Sequence, residues 1–119
     1  MKHDIANDNL PANSEKETQA QGVELRVWWI PQVPMRAFRY RVPTLQAAKM
    51  LCDALAQYDL FQYENNVKPD YCNVGGASWR HPELTEGEWY DFDPEDEDEC
   101  QEVEAAIVKA SRRSLNAMR

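Results

Sequence analysis

Apolar and polar residues alternate with a period of two at the start of the folded part of this chain. In VELRVWWI, Val23, Leu25, Val27 and Trp29 take one parity, and Glu24, Arg26 and Trp28 take the other. That alternation predicts a half-buried strand over Val23–Ile30. The adjacent tryptophans then lie on opposite faces, one in the core and one either under a helix or in an exposed patch. Pro31 and Pro34 bracket a turn, because proline fixes φ and removes a ladder donor. A second strand is predicted over Met35–Val42, with Arg36, Phe38, Tyr40 and Val42 on one side and Met35, Ala37, Arg39 and Arg41 on the other. The short connection makes the pair an antiparallel hairpin. Its arginines read as a solvated strip that discourages edge pairing, as an internal partner for negative charge, or as a binding face.

The period changes after Pro43. Leu45, Ala48, Leu51, Leu55 and Tyr58 follow helical spacing, with Ala47, Met50 and Ala54 widening the stripe. Thr44 is the predicted N-cap. The helix is expected to end near Tyr58 or Asp59, with Leu60, Phe61 and Tyr63 forming a further turn before Asn65-Asn66. Tyr71–Arg80 reads as a third strand, interrupted at Gly75-Gly76 by a bulge or a close backbone approach. His81–Gly87 is a polar turn, and Glu88–Phe92 is a short fourth strand that completes a second hairpin. Asp93-Pro94 stops it. Glu95–Met118 has helical composition, acidic at its start and basic at its end, the order that the helix dipole favours. The expected architecture is α+β: a small antiparallel sheet of two hairpins in the order β-β-α-β-β-α, with the Thr44 helix packed on it. Residues 1–22, poor in large aliphatics, read as a disordered tail before a single domain over 23–119.

Charge changes this picture more than composition does. The 119-residue chain has a formal charge of −8. Twelve carboxylates fall in Glu83–Glu104, with no Lys or Arg: Glu83, Glu86, Glu88, Asp91, Asp93, Glu95, Asp96, Glu97, Asp98, Glu99, Glu102 and Glu104. The acidity is therefore local, and such an excess steers basic partners. The overall charge argues against direct nucleic-acid or anionic-membrane binding. No apolar run is long enough to span a bilayer, and the first residues lack the apolar region of a secretion signal. Cys52, Cys72 and Cys100 have no metal or disulfide spacing and read as reduced thiols of a cytoplasmic protein.

Catalytic chemistry finds little footing. His3 and His81 have no neighbour at triad or ligand spacing, and no Gly-rich phosphate loop is present. The run Asp91–Glu99 lacks the glycine of a calcium loop and contains Pro94. No catalytic residue, metal or cofactor is expected. The predicted site is a binding face formed by Trp89, Tyr90 and Phe92 with Asp91, Asp93, Glu95, Asp96, Glu97, Asp98 and Glu99. Aromatic anchors would supply affinity, and charge would supply on-rate and selectivity toward a protein with a basic surface. The same carboxylates could instead imitate a DNA phosphate backbone and inhibit a nucleic-acid-binding or defence protein. The open edge of the first hairpin offers a route to a homodimer.

The phrases VWWIPQVP, FRYRVPTLQAAKMLCDALAQYDLFQYENN, VKPDYCNVGG and GEWYDF resemble a group of small acidic proteins encoded by temperate phages and prophages, some of them labelled superinfection-exclusion proteins. The resemblance covers Val27 to Asp93 and leaves out the tail and most of the last helix. It implies a non-enzymatic accessory protein, acting inside the host cell through a host or phage protein.

Overall fold

A computed structural model describes residues 22–68 and 72–117. The tail reading falls almost wholly outside them, as do His3, Asp70 and Tyr71. The elements are β1 (Glu24–Ile30), β2 (Phe38–Val42), α1 (Leu45–Glu64), β3 (Val74–Arg80), β4 (Tyr90–Phe92) and α2 (Glu97–Ala117). The four strands form one antiparallel sheet in the order β2-β1-β3-β4. Each predicted hairpin forms, and the two are joined through β1 and β3.

The register separates the faces. Val42, Leu25 and Trp79 share one face, as do Tyr40, Val27, Ala77 and Phe92. This face carries the core: Leu25, Val27, Val42, Ala77 and Phe92 are buried together with Ala48 and Cys52 of α1 and Val103 of α2. Cys100 and Ile107 of α2 pack against the same cluster, so both helices lie on this side. The seven-residue pairing of β1 with β3 runs without a bulge.

Several local details differ from the sequence expectation, each for a physical reason. β2 begins at Phe38 rather than Met35, because residues 31–35 form bends that contain a cis Val33–Pro34 bond. Arg36 therefore lies in the connection, not in the strand. Thr44 caps α1, its Oγ1 accepting from the N–H of Ala47 at 3.0 Å. The helix continues past Asp59 to Glu64, where the Asn65 side chain donates to the Phe61 carbonyl. Asp59 is not a terminus. It is 3 % exposed and is held by three side chains. Its Oδ2 accepts from Trp29 Nε1 at 2.6 Å and from Asn73 Nδ2 at 3.0 Å, and its Oδ1 lies 3.3 Å from Lys68 Nζ. Lys68 also donates to the Pro31 carbonyl. One buried carboxylate thus ties α1 to β1, to the β1–β2 connection and to the approach to β3.

Gly75 answers to the Trp29 ring that this cluster fixes. A Cβ on Gly75 would lie 2.0 Å from Trp29 Cε3 and 2.9 Å from the Trp28 carbonyl oxygen. Close approach, not a bulge, explains the glycine.

Candidate functional site

The acidic segment begins where β4 ends. The Asp93 side chain accepts from the N–H of Glu95 at 2.9 Å, and that of Asp96 from the N–H of Glu99 at 3.2 Å. Glu99 Oε1 in turn accepts from the N–H of Asp93 at 2.8 Å. Asp96 is thus the N-cap of α2, answering an N–H that the first turn leaves unpaired, while Asp93 and Glu99 accept from N–H groups of the segment that leads into the helix. The run is an ordered helix start. Asp93, Glu95, Asp96, Glu97 and Asp98 are exposed, and Glu99 is half-buried.

Glu95 reaches toward α1, 3.9 Å from Lys49 Nζ. A side-chain hydrogen bond with Asp53 raises its pKa above the ordinary carboxyl value. Asp53, Asp93, Pro94 and Glu95 line a crevice with Cys52, Gly75 and Gly76. Burial, with Glu95, Asp53 and Asp93 adding to it, pushes the Cys52 thiol up to about 11. Burial and the nearby Asp93 and Asp96 also raise Cys100, whose Sγ donates to the Pro94 carbonyl at 3.3 Å. Both thiols are held protonated, which is the reverse of an activated nucleophile. Among the described residues, no group of three His, Cys, Asp or Glu could hold a metal ion.

The three rings predicted beside the carboxylates are separated. Phe92 is 6 % exposed and belongs to the core. Tyr90, on the same side of the sheet, is half-exposed and meets Trp79 edge-on with ring centroids 5.9 Å apart. Trp89 has turned to the opposite side, where the guanidinium carbons of Arg26 and Arg80 lie 3.9 and 4.4 Å from its ring centroid. Asp91 is also on that side, accepting from Ser78 Oγ at 2.6 Å. The predicted site is thus divided between two faces: Tyr90 lies with Asp93–Glu99, while Trp89 and Asp91 lie across the sheet.

That second face has no helix over it among the described residues. Register puts Glu24, Arg26 and Trp28 of β1 there, with Arg39 and Arg41 of β2, Ser78 and Arg80 of β3 and Asp91 of β4. Glu24 pairs with Arg80 at 2.8 Å and faces Arg41 at 3.6 Å. A cleft of about 240 Å³ crosses the sheet, lined by Arg26, Trp28, Ala37, Arg39, Ser78 and Asp91. Sequence reading found Arg39 and Arg41 but not Arg26 and Arg80, which join them only through strand pairing. The available signal was that Arg26 and Trp28 share the parity opposite to buried Leu25, Val27 and Trp29 in β1.

His81 is structural. It is 6 % exposed, and its Nδ1 accepts from the N–H groups of Glu83 and Leu84, each at 3.1 Å. The turn it organises leads to Glu83, which pairs with Arg113 of α2 at 2.8 Å.

Residues 24–111 match the family described as superinfection exclusion gene product 17. A protein named "Superinfection exclusion protein" from Salmonella phage P22 is 46% identical over 74 residues, which cover 62% of this chain and 72% of that protein. No solved structure matches. The family match extends beyond Asp93 and takes in the acidic segment and most of α2.

Proposed function

The chain belongs to the superinfection exclusion gene product 17 family, and from that premise we propose that it excludes superinfecting phage by binding a host or phage protein with a basic surface in the host cytoplasm. The contact is the start of α2: Asp93, Glu95, Asp96, Glu97 and Asp98, with Tyr90 as the adjacent ring. The observation that carries this reading is the combination of exposure and order. The backbone that carries these carboxylates is held by the side chains of Asp93, Asp96 and Glu99, so a partner need not order a loose loop in order to meet them. The role proposed is non-enzymatic. No helix among the described residues is long and apolar enough to cross a membrane.

The test neutralises Glu95, Glu97 and Asp98 to Gln, Gln and Asn, and keeps the capping residues Asp96 and Glu99. Cells expressing this variant should lose the ability to reduce plaque formation by a phage that the parent chain excludes, while the variant accumulates normally. Capture of the basic partner should weaken and lose its dependence on salt. Unchanged exclusion together with unchanged salt-dependent capture would overturn the reading. A second reading, mimicry of DNA by the same carboxylates, draws on the ordered helix start. It requires duplex DNA and this protein to compete for one site, and a ternary complex excludes it.

A further inference from the structure

We propose that the chain forms an antiparallel dimer in which the outward face of α2 docks on the same face of a second copy. The inward face of α2 is accounted for within the chain. Val103 and Ala110 are 2 % and 1 % exposed, and Cys100 and Ile107 pack on the core. On the opposite side Gln101, Ala105, Val108 and Arg112 follow one another at helical spacing, flanked by Asp98, Glu102 and Lys109, and all of them are exposed. Among the described residues, the side chains of Asp98, Glu102, Lys109 and Arg112 have no hydrogen-bond or ion-pair partner.

The charges of α2 are segregated along its length. Glu97, Asp98, Glu99, Glu102 and Glu104 all precede Ala105, whereas Lys109, Arg112 and Arg113 all follow Val108, with no Asp or Glu after Glu104. The helix dipole does not account for this order, because its effect is confined to the first and last turns. Glu102, Glu104 and Lys109 lie in the middle of the helix, and the last turn has no basic residue.

A helix that is negative in one half and positive in the other complements its own copy when the two run antiparallel, and repels it when they run parallel. A crossing at Ala105 sets Asp98 beside Arg112 of the second copy and Glu102 beside its Lys109, and the twofold makes each pair twice. Ala105 has the small side chain that lets two helices approach closely, and Val108, 47 % exposed, gains apolar cover next to it. The inward stripe of each helix points to its own sheet, so the two bodies lie on opposite sides of the contact. A single helix pair buries less than the standard interface of about 1,600 Å² in total, which makes the dimer weak and reversible. The contact does not depend on the host or phage partner proposed above: of the residues assigned to that partner it uses Asp98 alone.

Sedimentation of the full chain over a wide concentration range should show a reversible rise toward the dimer that weakens as salt increases. Lys109→Glu with Arg112→Glu, and Asp98→Lys with Glu102→Lys, should each give a monomer with an unchanged circular dichroism spectrum. An equimolar mixture of the two variants should regain the dimer, because one outward face is then wholly acidic and the other wholly basic. Misfolding cannot produce that recovery. Cross-linking in a Cys72→Ser background, which removes the exposed native thiol, reads the orientation. Ala105→Cys places its thiol at the twofold and should give a disulfide-linked dimer on mild oxidation. Gln101→Cys, about 12 Å from its own copy along the axis, should not. A parent chain that stays monomeric at every concentration and salt, a dimer that survives both charge reversals, or a mixture that stays monomeric overturns the proposal. So does cross-linking through both cysteine variants, which would make the pair parallel.

Discussion

The two faces of this sheet are built from the same four strands, yet they are stabilised in different ways. One is covered by α1 and α2 and packed with Leu25, Val27, Val42, Ala77 and Phe92. The other is layered by its own long side chains, with Arg26 and Arg80 stacked on Trp89 and Ser78 bonded to Asp91. Burial of apolar area is non-directional and stabilises the first face whatever the partner. Stacked guanidinium groups and partly screened ion pairs contribute little each. The first face therefore carries more of the stability of the fold than the second.

The largest expected effect tests the covered side at its polar centre. Asp59→Ala leaves the Lys68 ammonium and the Trp29 N–H buried without their shared acceptor. It should cost ~3–5 kcal/mol in urea unfolding, the range for breaking a buried pair on one side. Next comes a contrast between neighbours. Gly75→Ala drives a methyl into the Trp29 ring, which Asp59 prevents from moving aside, and should cost ~3 kcal/mol. On Gly76 the same methyl meets Trp28 Nε1 at 3.4 Å and the Phe92 carbonyl oxygen at 3.5 Å, ordinary contact distances. Gly76→Ala should stay within ~1 kcal/mol. If the two cost the same, the difference between the faces is wrong. Smaller again is Trp89→Leu, which removes both cation–π contacts on the second face and should cost ~1 kcal/mol.

The smallest effect at neutral pH is one of reactivity. Cys72 is exposed, whereas Cys52 is buried with its pKa raised from the ordinary 9.0 to about 11. At pH 8, iodoacetamide should label Cys72 first and leave Cys52 unmodified until the protein unfolds, as peptide mass spectrometry would show. The sign for stability follows from the same shift. The unfolded thiol ionises near 9, before the folded one, so the Cys52 contribution is full below pH 9 and is lost as pH rises from there toward 11. Cys52→Ala should flatten that alkaline slope.

Much of the fold could be read from the residues because the signals were local. Alternation fixed β1 and the faces of Phe38, Tyr40 and Val42, and Thr44 marked the start of α1. What could not be read depended on distant partners. Asp59 looked like a helix terminus because its acceptor role is set by Trp29, 30 residues earlier. The Arg26–Arg80 pairing around Trp89 exists only once β1 and β3 are in register. Treating Trp89, Tyr90 and Phe92 as one surface overlooked the period of two that had correctly divided Trp28 from Trp29. The family match, by contrast, reaches residue 111 because similarity along the chain does not require knowledge of which faces meet.

The strand order β2-β1-β3-β4 has a further consequence for how the chain is assembled. Each half of the molecule is a hairpin followed by a helix, and the halves meet along the seven paired residues of β1 and β3. A polypeptide ending after Lys68 and another starting at Cys72 would each keep a whole hairpin and its helix. Mixed together, they should find each other through that central ladder and rebuild the Asp59–Asn73 hydrogen bond across the break. The protein is, in effect, two interlocking pieces that a single backbone happens to join, and each could be tagged as one arm of a split reporter.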